Sequence, residues 1–478
     1  MNRAGKNLAA QVFYQLVTVL TPLITSPYLS RVLGPMQLGI FSSTYSYVCY
    51  FMLLCKLGVE TYGCREIAKV SDDPVKSSGK FFEIFRIQFL ASVLALGVYY
   101  LFLAAGQERV NNGAIMAIQG LWIVSALVDI NWLLFGLEEF VITTIRNIAI
   151  KVITIVLVFC LVKSPRDLDK YILVMAGGQI VSQIVVWPYA LKRVGIRHGD
   201  FRSSLQHIKP MLYFFVPVMA MSVFHIMDKT MLGIMSTDEQ SGFYYNVDRL
   251  GNIAIGVSLG INTVMLPRIT NSIAGGDRNV SRTLEHSYEL VVSSSIAISV
   301  GLAAVGPLFV PVFFGNAFLP CVELIDIFAV ALVCKSISSC ICNQCLVPMG
   351  AEKYYVRAVV IGAFVNLVSN YFLIKAYAAK GATIGTVIAE AVVLAISLRR
   401  SSGKTNLKKL GADFLKYMAI GAVMFAAVRA AIRVLPESWI GLIAAIALGG
   451  IVFIVGTLVN SRADESSVYA HILGKWRH

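Results

Sequence analysis

Three basic residues interrupt long apolar stretches of this sequence, namely Arg31, Lys229 and Arg249. A charge in such surroundings is costly, so each side chain needs either an acidic neighbour or a charged ligand. Near 4 Å, two opposite unit charges attract each other by about 4 kcal/mol at an effective dielectric of 20. Two or three cations could offset much of the desolvation of an anion, and we interpret these residues as binding groups for an anionic ligand.

Three aspartates lie in similar apolar surroundings, Asp129, Asp228 and Asp248. Each is a candidate for taking up a coupling ion, either a proton or Na⁺. Asp228 directly precedes Lys229 and Asp248 directly precedes Arg249, but adjacent residues on a helix do not face each other. Pairing of Asp228 with Arg249, or of Asp248 with Lys229, across neighbouring helices is therefore the alternative to ligand binding.

Polar residues recur at helical spacing near the start of the chain. Gln11, Gln15 and Thr18 lie three and four positions apart, so they share one face of a predicted helix. Within a membrane such a face either bonds to neighbouring helices or lines a cavity. Asn252 shares a face with Arg249 in the same way. We include these polar residues among the candidate substrate-binding groups.

Two further patterns combine charge with helical spacing. Trp122, Asp129 and Trp132 are spaced to share a face, and aromatic rings beside a carboxylate could hold sugar rings. Anchoring of both tryptophans at the membrane interface is the simpler interpretation. Lys56 lies four residues before Glu60, which could neutralise it, although Lys56 is also a candidate binding group.

The composition places all of these residues in a membrane protein. Of 478 residues, 57% are hydrophobic and 14% are charged, which is too apolar for a soluble enzyme of this size. A helix needs about 20 apolar residues to cross a hydrocarbon core of about 30 Å, and nearly the whole chain divides into such runs. The sequence predicts fourteen spans: 8–33, 38–60, 81–105, 113–136, 143–162, 169–191, 209–235, 243–266, 287–313, 319–348, 354–375, 380–398, 412–434 and 437–459.

The distribution of basic residues predicts the orientation. The basic start MNRAGKN precedes an apolar segment too long for a signal peptide, so we expect a retained first helix. By these boundaries roughly 25 Lys and Arg share a side with the N-terminus and about 8 lie opposite, which predicts that both termini are cytoplasmic. Basic residues spread thinly over many loops do not favour a nucleic-acid partner.

The nine cysteines do not predict a metal site. Cys340, Cys342 and Cys345 form a cluster in the tenth span, but no paired CxxC and no nearby histidine accompany them. We expect small residues that pack between helices.

Sequence patterns recur at an interval of roughly 200 residues. GIF at 39–41 returns as GFY at 242–244, and LGVET at 57–61 returns as LGINT at 259–263. Six spans separate the copies, so both have the same orientation. We therefore predict an all-α membrane protein with two six-helix lobes, related by a parallel repeat around a central cavity, and two C-terminal helices. The predicted parts are an N-lobe at 1–191, a basic cytoplasmic loop at 192–208, a C-lobe at 209–398 and an appended helix pair with a cytoplasmic tail at 399–478.

Three segments resemble a known superfamily of transporters. SPYLSRVLGPMQLGIFS at 26–42, LGVETYGCREIAK at 57–69 and DKTMLGIMSTDEQSGFYYNVDRL at 228–250 are similar to the polysaccharide-type flippases of the multidrug/oligosaccharidyl-lipid/polysaccharide exporter superfamily. The resemblance covers nearly the whole chain. The predicted count of fourteen spans departs from the twelve of many O-antigen flippases.

The resemblance implies a function and a site. The implied fold has two six-helix lobes around a V-shaped cavity, and alternating access moves undecaprenyl-diphosphate-linked oligosaccharides to the outer leaflet. Arg31, Lys229 and Arg249 match the cations that line this cavity in the family, and they would bind the diphosphate. The implied location is the bacterial inner membrane. The implied partners are the lipid-linked glycan, the bilayer, a polysaccharide polymerase and glycosyltransferases, for O-antigen or capsule assembly.

Several alternatives stay open at this point. A lipid II flippase would move a related peptidoglycan precursor, and a multidrug exporter of the same superfamily would need an acidic cavity for cationic substrates. A membrane glycan polymerase would need a sizeable outer loop, and the predicted outer loops are short. No nucleophile-base pair, metal cluster or phosphate loop occurs, so we predict a transporter without a cofactor. Its energy source is either the membrane potential or a proton or Na⁺ gradient.

Overall fold

A computed structural model describes residues 3–105, 112–195, 201–275, 280–402, 405–463 and 467–469. The regular elements in these ranges are helices, and no strand occurs in them. The predicted all-α class is therefore confirmed. The chain divides into two compact units, unit 1 from Met1 to Gly233 and unit 2 from Ile234 to His478.

The helices of unit 1 are joined by short connections. Before the third helix, Asp73 accepts backbone N–H bonds from Val75 and Lys76 at 3.0 and 3.2 Å, as a capping residue does. Bonds from the backbone and side chain of Lys76 lower the pKa of Asp73. The elements are α1 (Arg3–Lys56), α2 (Val59–Ala68), α3 (Pro74–Ala105), α4 (Gly113–Gln119), α5 (Leu121–Leu127), α6 (Asn131–Gly136), α7 (Phe140–Leu161), α8 (Leu168–Val185), α9 (Trp187–Val194), α10 (Phe201–Leu205) and α11 (Ile208–Met235).

The first helix is broken where the sequence predicts two spans. Gly34 has a φ of 75° and a ψ of 174°, outside the helical region, and Pro35 after it has no N–H for the helical ladder. A second break at Leu57 and Gly58, with φ values of 42° and 76°, separates α1 from α2. A Cβ added at Gly58 would lie 2.7 Å from the carbonyl oxygen of Met211 on α11. Glycine is required there both by φ and by this close approach.

Unit 2 contains longer helices. A π-helical turn, Cys342–Leu346, extends one of them. The longest helix of unit 2 is broken at Ala378, which has a φ of 49° and a ψ of −126°. This break lies between the predicted eleventh and twelfth spans. The elements are α12 (Asp238–Ala274), α13 (Val280–Phe313), α14 (Cys321–Ile341), α15 (Glu352–Ser401), α16 (Leu407–Ala431) and α17 (Trp439–Ala463).

Twelve helical segments of the described chain are long and apolar enough to cross a membrane. Two of them, Leu20–Ala68 and Lys353–Ser401, contain 49 residues each and include the breaks at Gly34 and Ala378. At 1.5 Å per residue such a segment extends about 74 Å, more than twice a hydrocarbon core of about 30 Å. The structure is compatible with fourteen crossings, and that count stays a prediction.

Glycines and aromatic rings allow close packing inside unit 1. Trp132 is 1% exposed, and its ring centroid lies 5.6 Å from that of Phe81. Gly63 on α2 faces this tryptophan, and a Cβ added there would come within 2.5 Å of the ring. Gly136 on α6 approaches Ile67 of α2 in the same way. These contacts hold α2 against α6, as small residues commonly do between membrane helices.

The structure bears on two further predictions, the role of the clustered cysteines and the position of the lobe boundary. Cys340, Cys342 and Cys345 are buried, as expected of packing residues. No group of three or more His, Cys, Asp or Glu able to hold a metal occurs in the described ranges. The predicted lobes divide at 192–208, whereas the compact units divide after Gly233 because α11 packs against α1. The lobe boundaries themselves stay a prediction.

Candidate functional site

A break in the fourth predicted span forms the polar centre of unit 1. Asp129 lies in the non-helical connection between α5 and α6. Such a connection leaves carbonyl groups without helical partners. Gln88 on α3 donates to two of them, Ala126 O at 3.1 Å and Asp129 O at 2.8 Å, and accepts a bond from Trp132 Nε1 at 2.9 Å. One amide from a neighbouring helix therefore stabilises the break.

Asp129 is 9% exposed, and its carboxylate has several partners. Its Oδ1 accepts from the backbone N–H of Asn131 at 3.0 Å and from Asn131 Nδ2 at 2.8 Å. Its Oδ2 lies 3.6 Å from Lys56 Nζ, and the same ammonium pairs with Glu60. The predicted pair of Lys56 and Glu60 is present, and Lys56 forms a second pair that the sequence did not reveal.

A second cation, Arg146 of α7, extends this polar network and is 8% exposed. Its Nη2 donates to Asn131 Oδ1 at 2.8 Å and to Asn147 Oδ1 at 2.7 Å. Asn131 Nδ2 donates to Gln183 Oε1 at 3.0 Å, and Ser182 Oγ donates to Asn147 Oδ1 at 3.1 Å. The network thereby connects α1, α6, α7 and α8. Arg146 was missed at the sequence level, although a charge inside the fifth predicted span was the available signal.

The charges of this network balance. Lys56 and Arg146 contribute two positive charges, Glu60 and Asp129 contribute two negative charges, and the formal sum is zero. Because its members bond to one another within unit 1, the network is suited to holding helices together. The Lys56 side chain is 28% exposed and that of Glu60 is 63% exposed, so breaking one of these pairs costs less than the about 3–5 kcal/mol of a fully buried pair.

The polar stripe of the first span meets a cation on α7. Lys151 Nζ donates to Thr18 Oγ1 at 3.2 Å, so at this position the stripe bonds to a neighbouring helix. Lys151 is a second charge of the fifth span that the sequence analysis did not consider. The side chains of Gln11 and Gln15 lie outside the described part of the structure. Arg31 is exposed on α1, just before the first break.

Asp228 and Lys229, two charged residues that the sequence analysis singled out, lie on α11 beside the second half of α1. Thr230 Oγ1 donates to Ser46 Oγ at 2.9 Å, which fixes this part of α11 beside α1. The adjacent Asp228 is 5% exposed, and Lys229 is half-buried. Both charges therefore lie at a polar contact of α1 and α11 within unit 1.

In unit 2, the predicted binding residues lie on the first half of α12. The Arg249 guanidinium is 6.0 Å from the ring centroid of Tyr245, within cation-π range. Asn252 Nδ2 donates to Asp248 Oδ2 at 3.3 Å, one helical turn away. Arg249 and Asp248 are half-buried, and Asn252 is exposed. These side chains are thus at the surface of unit 2 rather than in its core.

The predicted face of Trp122, Asp129 and Trp132 is wrong, because the helix breaks between the first and the last of them. Trp132 is a buried packing residue and cannot anchor the protein at a membrane interface. Trp122 is half-buried, and its ring centroid lies 5.3 Å from that of Tyr45. Its buried Nε1 has no hydrogen-bond partner among the described residues. Trp122 therefore stays a candidate binding residue.

One buried carboxylate of unit 2 was also missed. Glu289 of α13 is 1% exposed and accepts bonds from Tyr417 Oη at 2.7 Å and Ser467 Oγ at 2.6 Å. The backbone N–H of Val468 donates to it at 2.8 Å, and Lys416 Nζ lies 3.5 Å away. Glu289 therefore holds α16 and residues 467–469 against α13. With its bonding capacity used inside the protein, we interpret it as a stabilising residue.

The sequence of this chain matches a known family and named relatives. Residues 4–272 match the family described as "Polysaccharide biosynthesis protein". A Shigella dysenteriae protein named "Putative O-antigen transporter" is 23% identical over 400 residues, covering 82% of this chain and 99% of the relative. An Escherichia coli protein of the same name is 21% identical over 411 residues, covering 83% of this chain and 97% of the relative.

Solved structures show the same fold. The lipid II flippase MurJ in its inward closed conformation aligns with a TM-score of 0.73 at 15% identity, covering 96% of this chain and 99% of that one. A eukaryotic MATE transporter aligns with a TM-score of 0.51 at 11% identity, covering 86% of this chain and 100% of the transporter. At these identities the likeness concerns the fold, and it agrees with the predicted two-lobe architecture.

Proposed function

Because the chain belongs to the family of polysaccharide biosynthesis proteins, we propose that it is a flippase for a lipid-linked polysaccharide precursor. The observation that carries this proposal is the match to proteins named as O-antigen transporters over nearly their whole length. The proposed substrate is an undecaprenyl-diphosphate-linked oligosaccharide repeat unit, moved from the cytoplasmic to the outer leaflet by alternating access. The protein is then a transporter of the bacterial inner membrane and not an enzyme.

Three cations are proposed to attract the anionic part of this substrate. Arg31 is exposed, and Lys229 and Arg249 are half-buried, so each can approach a ligand at the surface of its own unit. Lys56 is shared between Glu60 and Asp129 within the polar network of unit 1. We therefore propose that Lys56 stabilises unit 1, and that Arg31, Lys229 and Arg249 bind the phosphate groups.

The aspartates are weaker candidates for ion coupling in this proposal. Asp129 already accepts two bonds from Asn131 and lies beside Lys56. An interior-negative potential acts on each charge by about 2.3 kcal/mol per 100 mV, so it drives a bound diphosphate outward.

Both termini are proposed to be cytoplasmic. A polymerase outside and glycosyltransferases inside would consume and supply the glycan.

The proposal can be tested in cells and in vesicles. Deletion of the gene should cause a lipid-linked glycan to accumulate in the inner leaflet, and mass spectrometry of the extracted lipid would identify it. Accumulation of lipid II instead would favour the peptidoglycan alternative, and an unchanged lipid pool combined with drug sensitivity would favour an exporter. Either result would contradict the proposed substrate.

The proposed binding cations call for a matched comparison. Arg31→Ala, Lys229→Ala and Arg249→Ala should each abolish complementation while the protein remains in the membrane. Arg433→Ala is the control, since Arg433 is an exposed cation beyond the end of α16. If Arg249→Ala complements normally, Arg249 serves an internal ion pair instead of the substrate.

A further inference from the structure

Three cations of unit 2 surround one tyrosine. Lys353 Nζ and Arg357 Cζ each lie 5.7 Å from the ring centroid of Tyr354, near the start of α15. Arg400 Cζ lies 4.5 Å from the same centroid and comes from the other end of α15. The break at Ala378 reverses the helix and brings both ends together. We call Lys353, Tyr354, Arg357 and Arg400 the basic cluster.

Lys353, Arg357 and Arg400 give the basic cluster three positive charges. In the described part of the chain, no carboxylate lies within ion-pair distance of Lys353, Arg357 or Arg400. The sequence around the cluster has the same imbalance. Segments 350–360 and 395–404 contain five Lys or Arg and one Glu, so their formal net charge is +4. A tyrosine ring attracts cations weakly and leaves their charge unchanged, so the arrangement favours an anionic ligand.

The surface beside the cluster indicates where this anion comes from. Val360, Ile361 and Phe364 follow Arg357 at helical spacings of three, four and seven residues, so they lie on the same face of α15. All three are exposed, and Phe364 is 67% exposed. On a membrane span, an exposed apolar face contacts acyl chains. The basic cluster therefore lies at the end of a lipid-facing surface.

The length of α15 places the cluster at headgroup level. Residues Glu352 to Ala378 extend about 39 Å at 1.5 Å per residue, which exceeds a hydrocarbon core of about 30 Å. Residues 358–374 contain no charged residue, so the apolar run of this half ends at Arg357, on the side where α15 begins. Cations between membrane helices at that level are suited to bind anionic lipid headgroups.

We propose that the basic cluster is a binding site for the phosphate of an anionic phospholipid in the leaflet at the start of α15. The acyl chain would lie along Val360, Ile361 and Phe364. The site shares no residue with Arg31, Lys229 and Arg249, the cations proposed to bind the transported substrate. A phosphate shared by Arg357 and Arg400 would also hold the two halves of α15 together.

Native mass spectrometry of the full-length protein in a neutral detergent tests this site. The protein is titrated with phosphatidylglycerol or phosphatidylcholine of equal chain length. The natural protein should prefer phosphatidylglycerol by roughly tenfold, and Arg357→Gln with Arg400→Gln should reduce this preference to about twofold or less. The charge-retaining pair Arg357→Lys and Arg400→Lys should keep most of the preference, which separates lost charge from misfolding.

A control and a competitor define the results that would overturn the site. Lys408→Gln removes one exposed cation from the start of α16 and should leave the lipid preference unchanged. Inorganic phosphate at the same concentration should not displace phosphatidylglycerol, because it lacks the acyl contacts. Displacement by phosphate would make this a free-phosphate site. Equal binding of both lipids, or an unchanged preference in the double Gln variant, would refute the proposal.

Discussion

Replacement of Asp129 separates two roles that this carboxylate could have. Asp129→Ala removes two bonds to Asn131 and the ion pair with Lys56 at 3.6 Å. Loss of a buried pair costs about 3–5 kcal/mol, but the Lys56 side chain is 28% exposed and keeps Glu60, so we expect about 2–4 kcal/mol. Asp129→Asn retains an oxygen acceptor for the Asn131 backbone and should lose about 1–2 kcal/mol.

Thermal unfolding and transport measured together decide between these roles. If Asp129 is structural, both variants unfold at lower temperature than the natural protein, and the decrease is larger for Asp129→Ala than for Asp129→Asn. The transport rate per folded molecule then stays near the natural value. If Asp129 takes up the coupling ion, Asp129→Asn instead abolishes the response to a proton or Na⁺ gradient while the unfolding temperature is unchanged. That second result would refute our assignment of the network to stability.

Four other predictions concern single positions of the chain. Gly58→Ala should destabilise the protein by at least about 2 kcal/mol, because its φ of 76° and the adjacent backbone of Met211 both exclude a side chain. Gly260→Ala, at the repeat-related position in an intact helix with open space around it, should be neutral or stabilising by up to about 1 kcal/mol in the same unfolding assay. Glu289→Ala should lower the unfolding temperature and increase protease cleavage near Ser467, and unchanged cleavage would contradict the anchoring role. A periplasmic reporter fused after His478 should be inactive, and activity would mean an odd number of crossings.

The long spans and their breaks could be predicted from the sequence. The predicted ends at 33 and 375 lie next to the breaks at Gly34 and Ala378. Apolar run length is a local property, so it can be read without knowledge of the packing. Gly34 and Pro35 also carry a local signal for the first break.

The break at Asp129 could not be predicted in this way. The segment ALVDIN at 126–131 contains no glycine or proline, and a continuous helix is the natural expectation. The carbonyl oxygens of Ala126 and Asp129 at this break accept hydrogen bonds from Gln88, which lies about forty residues earlier in the chain. The partners of Arg146 are likewise set by packing of α6, α7 and α8. Hydrogen bonds between helices therefore determine the break at Asp129 and the partners of Arg146, which local sequence patterns do not reveal.

The balanced network also bears on the proposed energy source. A membrane potential acts on net charge, and the two cations and two carboxylates of the network sum to zero, so moving them together takes little work from the field. Arg31 is exposed on α1 and is one of the cations proposed to bind the substrate. A bound diphosphate would cover such surface cations, and its release would expose them to the field again. On this hypothesis the potential drives the loaded carrier outward and the empty carrier inward, and no aspartate has to change its protonation.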